Sequence, residues 1–237
     1  MKLKVPKVEG ILNFSSLSIM NTLFPLFVVL KGKTCTVVGG GTVALRKILG
    51  LLECEASVRV IALTCVPEII QLKNDQKIEL LLRPYQQGDF TGSFLVVAAT
   101  NDLEVNRQIY QECTEVNILC NVVDSRELCN FYYASAYTCG DLKIAISTNG
   151  ISPALARKIK AELAARYSAE FVPYLKYLQK MRAAVQAKIP EEAKRKEILE
   201  KIVADPGFLN QFQAENFCRA LENLDFVKEL DKWCHIP

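Results

Sequence analysis

The 237-residue chain carries 29 Lys and Arg against 26 Asp and Glu, which gives a formal net charge of +3. Half of its residues are apolar and 23% are charged, the balance of an ordinary globular protein with one large domain or two modest ones. A net charge this small, without a clustered basic patch, argues against a nucleic-acid partner.

The N-terminal stretch begins Met1-Lys2-Leu3-Lys4 and continues with apolar residues, as the first half of a secretory signal peptide does. Polar residues from Asn13 to Asn21 interrupt the apolar run, and no small-x-small cleavage site follows. No stretch has the length needed to span a bilayer. We therefore predict an N-terminal extension over residues 1–23, with Met20 as an alternative start, and no membrane partner.

Nine cysteines are spread along the chain without a Cys-x-x-Cys pair, and their spacing fits no zinc pattern. Cys35 and Cys120 fall inside apolar runs, where cysteine behaves as a small hydrophobe. The single histidine, His235, lies almost at the C-terminal end of the sequence. We predict free structural thiols, a cytoplasmic location and no metal site.

Between residues 34 and 123, strand-like runs alternate with segments of helical spacing. The first run, Thr34 to Val38, is short and β-branched and leads directly into three glycines, which is typical of a buried parallel strand. This alternation predicts an α/β fold, a parallel sheet covered by helices on both faces. Further strands are predicted at 57–63, 78–82, 94–99 and 118–123, and helices at 42–53, 66–74 and 102–115.

The pattern changes after residue 124. Two strand-like runs, 130–137 and 142–148, are separated by Thr138-Cys139-Gly140-Asp141, which predicts an antiparallel hairpin. The chain is then helical, with Ser152 as the N-cap and Pro153 in the first helical position. Several short helices are predicted, with breaks at Pro173, at Pro190 and at Asp205-Pro206-Gly207.

Gly39-Gly40-Gly41-Thr42-Val43-Ala44 matches the G-x-G-x-x-G/A fingerprint of dinucleotide-binding turns, with alanine in the last place. The first glycine permits a sharp turn, the second lets the backbone approach a pyrophosphate, and the small Ala44 lets the helix lie close to the sheet. The phosphates would bind free amides at the start of the helix. The strand before the motif and the helix after it favour a cofactor site over a glycine turn without a ligand.

These residues leave the choice between NAD and NADP open. An acidic residue at the end of the second strand normally holds the adenine ribose of NAD, yet this strand ends in Val60-Ile61-Ala62-Leu63. Arg59 could pair with the 2′-phosphate of NADP, although in a strand its side chain could also point elsewhere.

Small or polar residues follow two further strands. Ala98-Ala99-Thr100-Asn101-Asp102 would allow a cofactor to cross the strand ends, and Thr100 or Asn101 could equally be a plain helix cap. Asp124, after Asn121-Val122-Val123, is a candidate acid or base beside the cofactor. A strand-end aspartate is also commonly a loop or cap residue.

A third polar segment, Ser147-Thr148-Asn149-Gly150-Ile151-Ser152-Pro153, ends a strand and begins a basic helix carrying Arg157, Lys158 and Lys160. Hydroxyls, a glycine and a helix N-terminus together predict an anion pocket. The alternative is a capped helix with a solvated basic face.

In this order and spacing, these segments resemble the precorrin-2 dehydrogenase family, the siroheme-synthase module that is fused to a methyltransferase in some bacteria and free-standing in others. The resemblance extends from about Phe24 to Arg166. It depends on Phe24-Pro25-Leu26-Phe27, Val38 to Lys47, Ala98-Ala99-Thr100, Asn106, Cys120 to Asp124 and Ile146 to Pro153.

The resemblance implies NAD-dependent oxidation of precorrin-2 to sirohydrochlorin, and in some members also insertion of ferrous iron to give siroheme. It implies a Rossmann-type domain over 24–124, a small β-rich dimerisation region over 125–151 and a helical domain on the tetrapyrrole side over 152–237, assembled as a homodimer. An NAD-binding sensor without turnover and a dedicated chelatase are the competing functions.

The resemblance places Asp124 on the carboxylate regarded as central to dehydrogenation and chelation, and Thr148 where other members carry a serine. Because precorrin-2 is a polycarboxylate, basic side chains, Arg126 and Lys160 among them, are sensible partners for it. We predict NAD contacts at Gly39, Gly41, Thr42, Val43, Ala62, Thr100 and Asn101. We predict substrate contacts at Thr148, Asn149, Ser152, Arg157 and Lys158.

Overall fold

The computed structural model describes residues 23–169, 171–204 and 224–234. The described chain divides into two compact units, one ending at Tyr133 and the other beginning at Ala134. The predicted N-terminal extension, the Asp205-Pro206-Gly207 break and His235 lie outside the described residues, apart from Leu23. The further division at residues 124 and 151 stays a prediction.

The first unit is a five-stranded, fully parallel sheet with the strand order β3-β2-β1-β4-β5. This is the Rossmann order 3-2-1-4-5-6 without its sixth strand, and it confirms the predicted Rossmann-type fold. The strands are β1 (Thr34–Val38), β2 (Ser57–Ala62), β3 (Ile78–Leu82), β4 (Leu95–Ala98) and β5 (Leu119–Val122). The helices are α1 (Thr42–Leu52), α2 (Pro67–Asn74) and α3 (Leu103–Glu115).

Successive side chains of the central strands enter different apolar clusters, one on each face of the sheet. On one face, Val37 of β1 packs with α1 residues such as Ile48 and with Ile69 of α2. On the other face, Val38 packs with Ile109 and Cys113 of α3. Because both faces are covered, β1 is buried continuously from Cys35 to Val38 and not only at alternate positions. Because β1 and β4 are parallel, the helices that follow them begin at the same edge of the sheet.

Thr36, in the middle of β1, is a polar residue in the core of the sheet. Its side chain is fully buried, and its hydroxyl lies 2.7 Å from that of Ser93, which is also buried. A buried hydroxyl that loses its partner keeps the cost of desolvation, whereas removing both hydroxyls together is nearly neutral.

We expect Thr36→Val to lower the free energy of unfolding by about 1–3 kcal/mol, because it leaves the Ser93 hydroxyl without this bond. The double variant Thr36→Val/Ser93→Ala should recover most of that loss. Urea unfolding of the two single variants and the double variant measures the coupling. Strictly additive losses would show that the two hydroxyls act independently.

The segment after β5 belongs to the first unit because it continues the edge of the sheet. The Asn130 side chain accepts a hydrogen bond from the Cys120 amide at 2.7 Å and donates one to the Ile118 carbonyl at 2.9 Å. Cys129 forms an isolated antiparallel bridge with Asn121. Asn130 was predicted to begin a strand, and this is wrong, because its side chain supplies the bonds that a strand partner would make.

The second unit begins with the predicted hairpin. β6 (Ser135–Cys139) pairs antiparallel with β7 (Leu142–Ile146) through the two-residue turn Gly140-Asp141, where Gly140 has a φ of +55°. α4 (Pro153–Arg166) packs against both strands, and the Tyr137 hydroxyl donates a hydrogen bond to the Tyr167 carbonyl at its end. The predicted hairpin is confirmed, with strands shorter than expected.

Three more helices complete the described part of the second unit: α5 (Phe171–Lys188), α6 (Glu192–Ala204) and α7 (Phe226–Cys234). They share an apolar core that includes Tyr177, Met181 and Trp233. Pro190 separates α5 from α6 as predicted. The break predicted at Pro173 is wrong, because this proline lies in the first turn of α5, where its missing N–H has no intrahelical partner to lose.

Candidate functional site

A cleft of about 640 Å³ opens at the carboxyl edge of the parallel sheet, entirely within the first unit. It is lined by the glycine turn after β1 and by the residues that follow β2, β3 and β4. Open α/β sheets bind ligands at this edge, where the strand order changes direction. In this chain that change occurs between β1 and β4.

The three glycines of the turn have separate roles. Gly39 has a φ of +129°, and a Cβ there would overlap the Ala99 carbonyl oxygen of the neighbouring loop. A Cβ on Gly40 would overlap the Thr64 carbonyl oxygen and approach Cys65. A Cβ on Gly41 would meet only open space. The first two glycines are thus required by the packing of the fold, and the third keeps space clear for a ligand.

The beginning of α1 has the properties of an anion site. Gly41 is the N-cap residue and has no side chain with which to cap the free amides. The first turn, Thr42 to Leu45, contains no carboxylate. Because unsatisfied amides and the helix dipole both favour negative charge, the predicted contacts at Thr42 and Val43 lie where a pyrophosphate would bind.

Two residues at the end of β2, Ala62 and Leu63, line the same cleft without a carboxylate. Arg59 does not line it, because it lies in the middle of β2 and its guanidinium binds Glu79 at 2.8 Å and the Asp89 carbonyl at 3.3 Å. The structure therefore contradicts the alternative in which Arg59 would hold the 2′-phosphate of NADP.

The residues after β3 also line the cleft, and they were not among the predicted contacts. Arg83 makes two 2.7 Å hydrogen bonds to the carboxylate of Asp89, which also accepts one from the Gln86 amide. The Tyr85 hydroxyl donates to Glu112 of α3 at 2.8 Å. These bonds hold the Arg83 and Tyr85 side chains at the cleft. A basic and an aromatic residue directly after a strand could have been the signal.

The Asp89 carboxylate makes this segment sensitive to acid. Its bonds to Arg83, and then the Gln86 amide, hold the pKa of Asp89 below its ordinary value. A depressed pKa stabilises the folded chain above the unfolded pKa of about 3.9, and the gain is lost as the pH falls through the folded value. Asp89→Asn should therefore lower the urea midpoint near neutral pH, and this deficit should shrink in acid.

The matched control for this prediction is Glu104→Gln, which removes an exposed ion pair with Arg107 on α3. Such a pair contributes little in water, so the control should leave the urea midpoint nearly unchanged at either pH. A deficit for Asp89→Asn that stays constant down to about pH 3 would contradict the role of its ionised form.

The loop after β4 is fixed by its own polar bonds. The Thr100 hydroxyl donates to the Asn106 side chain at 2.8 Å, and the Asn106 amide donates back to the Thr100 carbonyl at 3.0 Å. Asp102, not Thr100 or Asn101, caps α3 by accepting bonds from the amides of its first turn. The cap proposed for Thr100 or Asn101 is therefore wrong, and both residues line the cleft.

Asp124 lies at the same edge of the sheet. β4 and β5 pair with Ala98 opposite Val122, and the Val123 amide extends the pairing to the Ala98 carbonyl at 2.9 Å. Thr100 and Asp124 therefore each stand two residues beyond paired positions on neighbouring strands. Asp124 is exposed and has a φ of +58°. It does not line the cleft itself.

The turn that carries Asp124 closes around a thiol. Cys129 Sγ accepts a hydrogen bond from the Val122 amide at 3.3 Å and donates to the Ser125 carbonyl at 3.0 Å. Burial raises the pKa of Cys129. Through these two hydrogen bonds the neutral thiol stabilises the turn from Val122 to Ser125.

The predicted substrate residues lie in the second unit. Thr148 Oγ1 accepts a hydrogen bond from the Ser152 amide at 3.2 Å, and Ser152 Oγ caps α4 by accepting one from the Leu155 amide. Asn149, with a φ of +52°, lies in the turn between them. The structure brings these three residues together at the start of α4. Arg157 and Lys158 are exposed on the helix itself.

None of the helices within residues 23–169, 171–204 and 224–234 is both long and apolar enough to cross a membrane. In that same part of the chain, no group of three or more His, Cys, Asp or Glu side chains is placed to hold a metal ion. Eight cysteines are described, and all are free thiols.

Comparison with known proteins gives matches along most of the chain. A family model described as putative NAD(P)-binding matches residues 26–135. A second model, described as the central part of a sirohaem biosynthesis protein, matches residues 140–166. A solved structure of SirC, precorrin-2 dehydrogenase, has a TM-score of 0.67 and 28% sequence identity, covering 85% of this chain and 100% of that one.

Similar full-length proteins include two siroheme synthases. The one from Thioalkalivibrio sulfidiphilus is 37% identical over 183 residues, which is 77% of this chain and 37% of the relative. The one from Actinobacillus pleuropneumoniae serotype 7 is 34% identical over 189 residues, which is 80% of this chain and 39% of the relative. This chain therefore spans less than two fifths of the length of these siroheme synthases.

Proposed function

We propose that this chain, a member of the precorrin-2 dehydrogenase family that also forms a module of siroheme synthases, oxidises precorrin-2 to sirohydrochlorin with NAD⁺ as the hydride acceptor. The observation that carries the proposal is the β4–β5 register, which puts a carboxylate at the edge where the cofactor cleft opens. The NAD(P)-binding family model over residues 26–135 supports a nicotinamide dinucleotide as the cofactor.

The residues of the cleft fit a dinucleotide. Gly41 leaves open space in front of the free amides of α1, as a pyrophosphate requires. Thr42 and Val43 would bind the phosphates, Ala62 would lie at the adenosine side, and Thr100 and Asn101 would lie toward the nicotinamide side. When bound, NAD⁺ supplies a two-electron acceptor for the hydride.

The chain itself must remove a proton from the substrate as the hydride leaves. We propose Asp124 as this general base, because a carboxylate can accept a proton and Asp124 stands at the sheet edge level with Thr100. Its positive φ turns the chain sharply after β5, and Cys129 fixes that turn. The carboxylate is thus held on rigid backbone while it stays open to a large substrate.

We propose that the second unit binds the carboxylates of the tetrapyrrole. Thr148, Asn149 and Ser152 surround the start of α4, and Arg157 and Lys158 add exposed positive charge. Each of these groups favours an anion. A homodimer and a cytoplasmic location are part of the same proposal, and eight free cysteines support a reducing compartment.

The decisive experiment is anaerobic incubation of the protein with precorrin-2 and NAD⁺. We expect NADH and sirohydrochlorin to appear together in equal amounts. A parallel reaction with ferrous iron or cobalt tests the metal as a substrate. Metal insertion into sirohydrochlorin without any need for NAD⁺ would mark the chain as a dedicated chelatase. NAD⁺ binding without turnover would mark it as a sensor.

A further inference from the structure

The ends of β2 and β3 lie side by side at the cofactor cleft. The two strands pair in register as far as Ala62 opposite Leu82, so Leu63 and Arg83 each follow directly after the last paired position. Both Leu63 and Arg83 line the cleft. In dinucleotide-binding folds the adenosine ribose binds at the end of the second strand. Arg83 is therefore next to the position expected for that ribose.

Arg83 is the basic residue of this cleft. Of the described residues that line the cleft, no other carries a positive charge, and the carboxylate usual at the end of the second strand is missing. An arginine near this position accommodates the 2′-phosphate of NADP in dinucleotide-binding folds. By itself, the Arg83 guanidinium would thus favour NADP over NAD.

Asp89 changes the charge at this end of the cleft. Its carboxylate accepts two 2.7 Å hydrogen bonds from the Arg83 guanidinium, and the pair has no net charge while both groups are ionised. The Asp89 side chain is mostly buried and also accepts a hydrogen bond from the Gln86 amide at 2.7 Å. These bonds fix a negative charge beside Arg83. A nucleotide that binds there meets a neutral pair and not a free cation.

We propose that the Arg83–Asp89 pair determines the nucleotide preference, and that Asp89, by neutralising Arg83, makes the chain select NAD⁺ over NADP⁺. This inference rests on the proposed function, because it concerns the cofactor of that reaction. NAD⁺ has an uncharged 2′-hydroxyl at this position, which a neutral pair can accept. A phosphate monoester carries about 1.5 to 2 negative charges near neutral pH, so the 2′-phosphate of NADP⁺ would be repelled by Asp89 as strongly as it is attracted by Arg83.

Three variants should change the Kd for NADP⁺ divided by the Kd for NAD⁺ in different directions. Asp89→Asn leaves the Arg83 charge uncompensated, so the ratio should fall by at least about tenfold, the contribution of a hydrogen bond between charged groups. Arg83→Met leaves the Asp89 charge unpaired at the cleft, so the ratio should rise. The double variant removes both charges and should have a ratio near that of the wild type.

The matched control is Glu79→Gln, which removes the carboxylate of a second arginine pair on the same two strands, 2.8 Å from Arg59. Neither Glu79 nor Arg59 lines the cleft, so the ratio should stay unchanged. Both dinucleotides are titrated into the same preparation of the full chain. Partial unfolding of a variant would therefore raise both Kd values equally and leave their ratio as it is.

The experiment is calorimetric titration of NAD⁺ and NADP⁺ into the wild type and these variants. A wild type that prefers NADP⁺, or an unchanged ratio in Asp89→Asn, would overturn this inference. An equal fall in the double variant would also overturn it, because the gain would then come from lost repulsion and not from Arg83. Dinucleotide binding without oxidation of precorrin-2 would refute the proposed function alone. A wild type that binds neither dinucleotide would refute both.

Discussion

Asp124→Asn should lower kcat for precorrin-2 oxidation by about 10²–10⁴-fold, the usual contribution of a positioned base. Asparagine tolerates the left-handed backbone conformation that Asp124 adopts, with its φ of +58°, and so preserves the turn. It cannot accept the proton. NAD affinity should therefore stay nearly unchanged, because Asp124 does not line the cofactor cleft.

Stopped-flow or steady-state NADH formation measures the first effect, and calorimetric titration with NAD⁺ measures the second. Asp124→Ala is a poor substitute, because alanine adds backbone strain at this φ and mixes a folding defect with the chemical one. If Asp124→Asn loses NAD affinity together with turnover, Asp124 is structural and the general base must be sought elsewhere.

The second large effect is expected within the glycine turn. Gly41 has a φ of −83°, which any residue can adopt, and its Cβ position is open. Gly41→Val should therefore fold as the wild type does, yet place two methyl groups where the pyrophosphate binds. We expect NAD affinity to fall by at least about tenfold, or 1.4 kcal/mol, while the urea midpoint falls only by the small amount that replacing a glycine N-cap costs.

The matched control is Gly40→Ala, in which one added carbon overlaps the Thr64 backbone. It should destabilise the fold by about 1–3 kcal/mol, the usual cost of overpacking. Unfolding and NAD titration of both variants give opposite profiles if the third glycine serves the ligand and the second serves the fold. Equal destabilisation by the two changes would contradict this division.

The sequence was sufficient for features that depend on local pattern. Each strand of the parallel sheet is an apolar run bounded by turn residues, and the fingerprint after β1 has a fixed relation to its strand and helix. Asp124 could be placed at the sheet edge because it directly follows such a run. These predictions needed no knowledge of which distant residues meet.

The predictions that were wrong or missing involve contacts between distant parts of the chain. Asn130 was predicted to begin a strand, yet its side-chain oxygen accepts the hydrogen bond from the Cys120 amide that a strand partner would accept. Tyr85 meets Glu112, and Lys47 meets Tyr133 across more than 80 residues. Nothing in the local sequence indicates such partners. The Pro173 error is different, since a proline in a first turn and a proline between helices look alike.

One part of the cleft is lined by main chain and another part by side chains. Around the pyrophosphate position it is main chain, with Gly39 against Ala99 and Gly40 against Thr64. Where Arg83 and Tyr85 line the cleft, the surface is formed by side chains, which Asp89 and Glu112 hold by hydrogen bonds. Substitutions after β3 can therefore change which nucleotide is preferred without moving the main chain, whereas any side chain added at Gly39 or Gly40 displaces the backbone around the phosphates.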